Sequence, residues 1–125
     1  MNLLPYFKSV VDQDRCPVVL CDLSHTVLYM NPAAGKRYDK KGGMALVGQS
    51  LLNCHGPKSN ELIERVVAWF QADRSHNLIY TSRNDKENKD VYMVALRDGG
   101  GNLIGYYEKH EYRDQETMEL YDFKP

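Results

Sequence analysis

The chemically suggestive pair in this sequence is Cys54-His55, set in Asn53-Cys54-His55-Gly56-Pro57-Lys58, where Gly and Pro read as a turn. A thiol beside an imidazole can make a redox, metal or nucleophilic site once the thiolate is stabilised. Sequence neighbours rarely aim their side chains at each other, and no third group that would orient the imidazole can be picked out. The residues therefore favour a structural role in a loop, with redox sensing kept as the sharper reading and no catalytic residue assigned. His25, His55, His76 and His110 show no metal-binding spacing such as HxxxH, and Cys16, Cys21 and Cys54 make no CxxC pair. Gly99-Gly100-Gly101 is followed by no Lys-Ser/Thr and opens no helix, so it reads as a hairpin loop and not a phosphate cradle.

A second polar concentration is Tyr106-Tyr107-Glu108-Lys109-His110-Glu111-Tyr112-Arg113. As a strand, it places Tyr106, Glu108, His110 and Tyr112 on one face and Tyr107, Lys109, Glu111 and Arg113 on the other. Such a strand is either a solvated sheet face with cross-strand charge pairs, or a polar cavity wall or self-complementary interface.

The elements that carry these residues follow from the pattern. Val18–Cys21 and Thr26–Met30 are β-rich runs joined by Asp22-Leu23-Ser24-His25, a hairpin in which Asp22 forms an Asx-type turn. Asn31-Pro32 then opens a short helix over Pro32–Tyr38, with Asn31 as N-cap, and Lys40-Lys41-Gly42-Gly43 ends it. Ser59–Asp73 is the strongest helix: Leu62, Ile63, Val66, Val67 and Phe70 form one wide apolar face, Ser59 is the expected cap, and Glu61 and Glu64 favour the positive end of the dipole. Three further strands are expected over Asn77–Arg83, Asp90–Arg97 and Leu103–Arg113. Val91–Leu96 is apolar in both alternating sets, so both faces of that strand need cover. Asn2–Asp14 is an amphipathic helix whose stripe, Leu3, Leu4, Phe7, Val10 and Val11, packs on its own sheet or across a dimer.

The chain's 125 residues suffice for one domain, divided as an N-terminal helix (1–15), a main domain (16–113) and a polar tail (114–125) that is a short helix or frayed. A net charge of −1 provides no bulk field to gather nucleic acid or an anionic membrane. No apolar run approaches the length of a membrane span, and the first residues lack the pattern of a signal peptide, so a cytoplasmic location is expected. An odd number of irregularly placed cysteines fits reduced thiols in that compartment.

The order of helix, two strands, short helices, one long helix and three antiparallel strands, with the Asp22 turn and Asn31-Pro32-Ala33-Ala34, resembles a PAS domain. The resemblance covers nearly the whole chain; Leu46-Val47-Gly48-Gln49-Ser50 looks like the family's Gly-x-Ser/Thr segment after its central turns. It implies an α+β fold: a five-stranded antiparallel sheet in spatial order 2-1-5-4-3, with the long helix and short helices on one face. It implies a small-molecule pocket between the sheet, Ser59–Asp73 and the Met44–Leu52 turns, for which Met44, Leu46, Leu51, Val66, Phe70, Tyr80, Tyr92 and Val94 are the candidates. It also raises the dimer reading of the N-terminal helix, with Leu3, Phe7 and Val11 as contacts.

Haem-binding members of the family use a His on or beside the long helix. Here that helix holds none, and only His55 and His76 flank it, which weakens haem as a cofactor. Asn53-Cys54 departs from the flavin-binding Asn-Cys-Arg-Phe-Leu-Gln segment, which argues against a photoactive thiol. The expected function is that of a non-enzymatic sensory module acting through a homodimer or a separate signalling protein. The alternative is a ligand-free dimerisation or interaction module.

Overall fold

The computed structural model describes residues 1–123. Its frame is one antiparallel sheet of five strands in the order β2-β1-β5-β4-β3. The strands are β1 (Val18–Asp22), β2 (Val27–Met30), β3 (Leu78–Asn84), β4 (Lys89–Arg97) and β5 (Leu103–Tyr112). The decisive pairing is long-range: β1 lies against β5 with Val18 opposite Lys109 and Asp22 opposite Gly105. Strand order and pairing agree with the expected topology.

The β1–β2 hairpin closes on Asp22, whose carboxylate accepts from the amides of Ser24 (2.9 Å) and Thr26 (3.0 Å), the expected Asx geometry. Helix α2 (Pro32–Arg37) starts as expected, with Asn31 Oδ1 accepting from Ala34 N at 2.9 Å and Pro32 in the first turn. Three short 3-10 turns follow, Asp39–Lys41, Gly43–Leu46 and Leu51–Cys54.

Helix α3 (Pro57–Ala72) starts two residues earlier than the periodicity suggested. Gly56, not Ser59, is its N-cap and makes no side-chain cap bond; Pro57, whose missing N–H costs nothing in a first turn, begins it. No acidic residue falls in that first turn, so Glu61 and Glu64 lie too far along to serve the dipole as expected. At the other end Arg97 of β4 gathers the exposed carbonyls, donating from Nη2 to Phe70 O (2.7 Å), Asp73 O (3.1 Å) and His76 O (3.2 Å).

The apolar face of α3 packs on the inner face of the sheet. Ile63, Val66, Val67 and Phe70 join Val19, Cys21, Val27, Met30, Met93 and Tyr106 in one core, closed at the side by Leu46 and Leu51. Gly105 of β5 is where two backbones come closest: a methyl group there would overlap the Cys21 carbonyl. Gly105→Ala is therefore expected to lower stability by about 1–3 kcal/mol, read as a fall in the denaturant midpoint.

On the outer face lies α1 (Leu4–Asp12), held by polar contacts and burying no residue of its own. Tyr29 of β2 donates its hydroxyl to Asp12, which also pairs with Lys8 at 2.7 Å. Phe7 is 62% exposed, and Leu3, Leu4 and Val10 are exposed as well. A groove of about 280 Å³ runs between Val10 and Val11 and the sheet residues Leu20, Leu96 and Tyr107. Tyr92, Val94 and Leu96 are only half-buried, so the outer half of β4 is less covered than its apolar pattern demands. The tail over 114–123 forms no helix or strand; Glu116 pairs with Arg15 at 2.6 Å.

Candidate functional site

A cleft of about 310 Å³ opens between the inner face of the sheet, the start of α3 and the α2 region. Its apolar lining is Leu62 and Ile63 from α3 and Val91 and Met93 from β4. The rest is polar: Arg37, Tyr38 and Lys41; Cys54, His55 and Ser59; Thr81, Ser82 and Asn84; Lys89; Glu108 and His110.

At its base is a chain of buried charged groups. Lys89, Glu108 and His110 are 2%, 9% and 4% exposed. Alternation produces this placement: Lys89 shares a face with Val91 and Met93, while Glu108 and His110 share one with Tyr106. Lys89 Nζ lies 3.1 Å from His110 Nδ1 and His110 Nε2 lies 2.8 Å from Glu108 Oε1. An ammonium only donates, so His110 Nδ1 accepts and its Nε2–H donates to Glu108. Tyr38 donates its hydroxyl to the same Oε1 at 3.2 Å. Lys89 also faces Glu87 at 3.4 Å, and Glu87 in turn takes Arg37 (3.2 Å) and Asn84 (2.8 Å).

The electrostatics follow. Burial alone pushes the Glu108 carboxyl up, but the hydrogen bonds donated by His110 and by the Tyr38 hydroxyl hold it below its ordinary value. Lys89 is shifted down, first by burial and then by the charge of Arg37. The Tyr38 hydroxyl is pushed far up by burial and by the Glu108 charge, so it stays a donor.

The polar-wall reading of the last strand therefore describes its inner face: Tyr106, Glu108 and His110 are buried and only Tyr112 is exposed, so the solvated-face alternative does not hold there. Of the proposed pocket residues, none lines this cleft. Leu46, Leu51, Val66 and Phe70 are buried core, and the gap beside Leu46 and Leu51 measures about 10 Å³, scarcely room for one water. Met44 is half-exposed. Tyr80 and Tyr92 lie with tilted rings 5.3 Å apart on the outer face, where Tyr80 donates to Asp90 and Arg113 to Tyr92, and Val94 follows Tyr92 on that face. Both alternating sets of β4 are apolar, so its pattern does not mark Tyr92 and Val94 as outer-face residues.

Among the candidate redox or haem residues, Cys54 and His55 do line the cleft, whereas His76 stacks on Trp69 at 4.0 Å beyond the end of α3. Burial pushes the Cys54 thiol up, outweighing the help of nearby Lys41, and Cys21 is pushed up to about 12 by burial. A thiol so placed lacks the stabilised thiolate that redox sensing needs. Alkylation of the native protein near neutral pH is expected to reach half-buried Cys16 well before buried Cys21 and Cys54, as read by peptide mass mapping. Among the described residues no group of three or more His, Cys, Asp or Glu could hold a metal, and no helix is long and apolar enough to cross a membrane.

Periodicity did not point to Lys89, Arg37 or Glu87. The available signal was a lysine in phase with an apolar stripe and Glu and His in phase with a buried Tyr.

No family model and no curated protein matches the chain. Solved structures do. The chain is similar to the PAS domain of a protein from Colwellia psychrerythraea, at 14% identity and a TM-score of 0.66 over 89% of this chain and 97% of that one. It is similar to the PAS domain of BvgS from Bordetella pertussis, at 15% identity and 0.64 over 90% and 87%. It is also similar to a sensory box sensor histidine kinase from Vibrio cholerae, at 12% and 0.60 over 86% and 89%. The chain has the PAS fold.

Proposed function

We propose that this protein is a sensory module whose inner-face cleft takes a small polar molecule and reports its presence through a second copy or a separate signalling protein. The observation that carries the reading is the buried Lys89–His110–Glu108 chain ending at an open cleft of about 310 Å³. Buried charge is expensive to keep unless it serves specificity or a site, and a concave space with a few convergent polar groups is what small-molecule recognition uses. The same fold in a sensor histidine kinase supports the sensory part of the reading. Nothing in it requires bond-making or bond-breaking by the chain.

The outer face supports the output. Leu3 and Phe7 are exposed while Val11 lines the groove, and a second copy laid over them would bury area that one helix leaves open. A ligand-free dimerisation module is the second reading, favoured by that stripe alone. Native mass spectrometry of the purified chain separates the two. A dimer with an added small mass is the expected result; a mass equal to chain alone, unchanged on incubation with cell extract metabolites, would overturn the ligand reading. Phe7→Glu is expected to shift any dimer toward monomer, as read by light scattering.

A further inference from the structure

Two hydrogen-bond acceptors confront each other in the cleft. The donors that reach Glu108, Tyr38 and His110, both end on Oε1. The other oxygen, Oε2, stands 3.9 Å from His55 Nε2, beyond hydrogen-bonding range. His55 Nδ1 lies 3.0 Å from the Leu51 carbonyl, which can only accept, so in the neutral imidazole Nδ1 carries the proton and Nε2 is a lone pair. Glu108 is 9% exposed, and both side chains line the cleft. A carboxylate oxygen and an imidazole nitrogen open to the cleft and within 4 Å of each other make a pair of acceptors, and a donor group placed between the two satisfies both at once.

The surrounding charge decides what kind of donor. Arg37, Lys41 and Lys89 line the same cleft and repel an ammonium ligand, and the Glu108 carboxylate repels an anion at that oxygen, whereas an uncharged N–H donor meets neither repulsion. The apolar walls, Leu62 and Ile63 of α3 and Val91 and Met93 of β4, suit a flat hydrocarbon or heteroaromatic body.

We infer that the cleft recognises an uncharged small molecule bearing an N–H₂ group, a primary amide or an amino-heterocycle, which donates to Glu108 Oε2 and His55 Nε2. This rests on the cleft being the ligand site.

The test uses three fragments of nearly one shape: benzamide, which carries N–H₂; acetophenone, neutral without N–H; and benzoate, anionic without N–H. For a nine-atom fragment half-saturation is expected on the order of 10 mM. In amide-resolved NMR of the full chain at neutral pH, benzamide should shift the resonances of His55, Ser59 and Glu108 in that range. Acetophenone and benzoate should bind about tenfold more weakly or not at all, and His55→Phe should weaken benzamide about tenfold. The acetophenone comparison is made on the unaltered protein, so it stands even if the variant folds poorly. Acetophenone or benzoate binding in the cleft as well as benzamide would overturn the donor class and leave the cleft a ligand site. Silence from benzamide at that concentration overturns the inference as well, while the ligand reading is judged by its own mass measurement.

Discussion

Asn31→Leu is expected to lower stability by roughly 3–5 kcal/mol or to abolish folding, because one side chain closes five backbone groups from three parts of the chain. Asn31 is fully buried. Its Oδ1 accepts from Val18 N at 2.9 Å, the first residue of β1, and from Ala34 N at 2.9 Å, inside the first turn of α2. Its Nδ2 donates to Val11 O (3.0 Å), Asp14 O (3.4 Å) and Cys16 O (2.9 Å), the end of α1 and the segment leading to β1. Leucine fills a similar volume but strands two buried N–H donors, each worth ~1–3 kcal/mol when unsatisfied. Asn31→Asp separates the two halves of the role. It keeps the acceptor for Val18 and Ala34 but turns a carboxylate on the carbonyls that Nδ2 now satisfies. Hydrogen exchange should therefore show the α1 segment released in the Asp variant while the Val18 and Ala34 amides stay protected. Full protection of α1 in Asn31→Asp would contradict this account.

What could be read from the residues was what depends on short-range pattern. The Asp22 turn, the Asn31 cap and the Gly-rich loop of the last hairpin are each set by a few neighbours. The strand order followed from matching their succession to one fold, and β1 against β5 is as expected. The site was not legible in the same way. A strand with one apolar alternation declares its inner face, but in β4 Val91 and Met93 alternate with Tyr92 and Val94, and nothing local decides the phase. The apolar set facing α3 also begins with Lys89, a residue that pattern arguments send to solvent. Its burial depends on Glu87, which reaches it from the β3–β4 turn, and on His110 from the neighbouring strand. Neither contact leaves a periodicity to find. Cys54-His55 shows the limit from the other side. Both residues do sit in the cleft, but His55 points its Nδ1 at the Leu51 carbonyl and its Nε2 toward Glu108, and burial raises the thiol.

The second large effect is expected at Glu108. Removing its charge by Glu108→Leu leaves Tyr38 and His110 without their acceptor and Lys89 with less compensating negative charge, and breaking a buried charge network in this way costs roughly 3–5 kcal/mol. Glu108→Gln keeps an acceptor for both donors, so it should cost less, and its use is to isolate the charge. The Glu108 carboxyl is held below its ordinary value of 4.5 in the folded chain, while the unfolded chain has the ordinary value. A carboxylate lowered on folding contributes stability that is fully present above the unfolded value and is lost as pH falls through the folded one. Wild-type stability should therefore decline from about pH 5 downward. Part of that decline comes from other carboxylates held low, such as Asp90 against Tyr80 and Arg113. The Glu108 share is the difference between the wild type and Glu108→Gln, whose gap in denaturant midpoint should be widest near neutral pH and should narrow in acid. A gap that stays constant from neutral pH to well below 4.5 would mean that Glu108 titrates alike in the folded and unfolded chain, and a gap that shifts in favour of the wild type in acid would mean that it is protonated in the folded chain; either result would show that the His110 and Tyr38 contacts do not hold a charge.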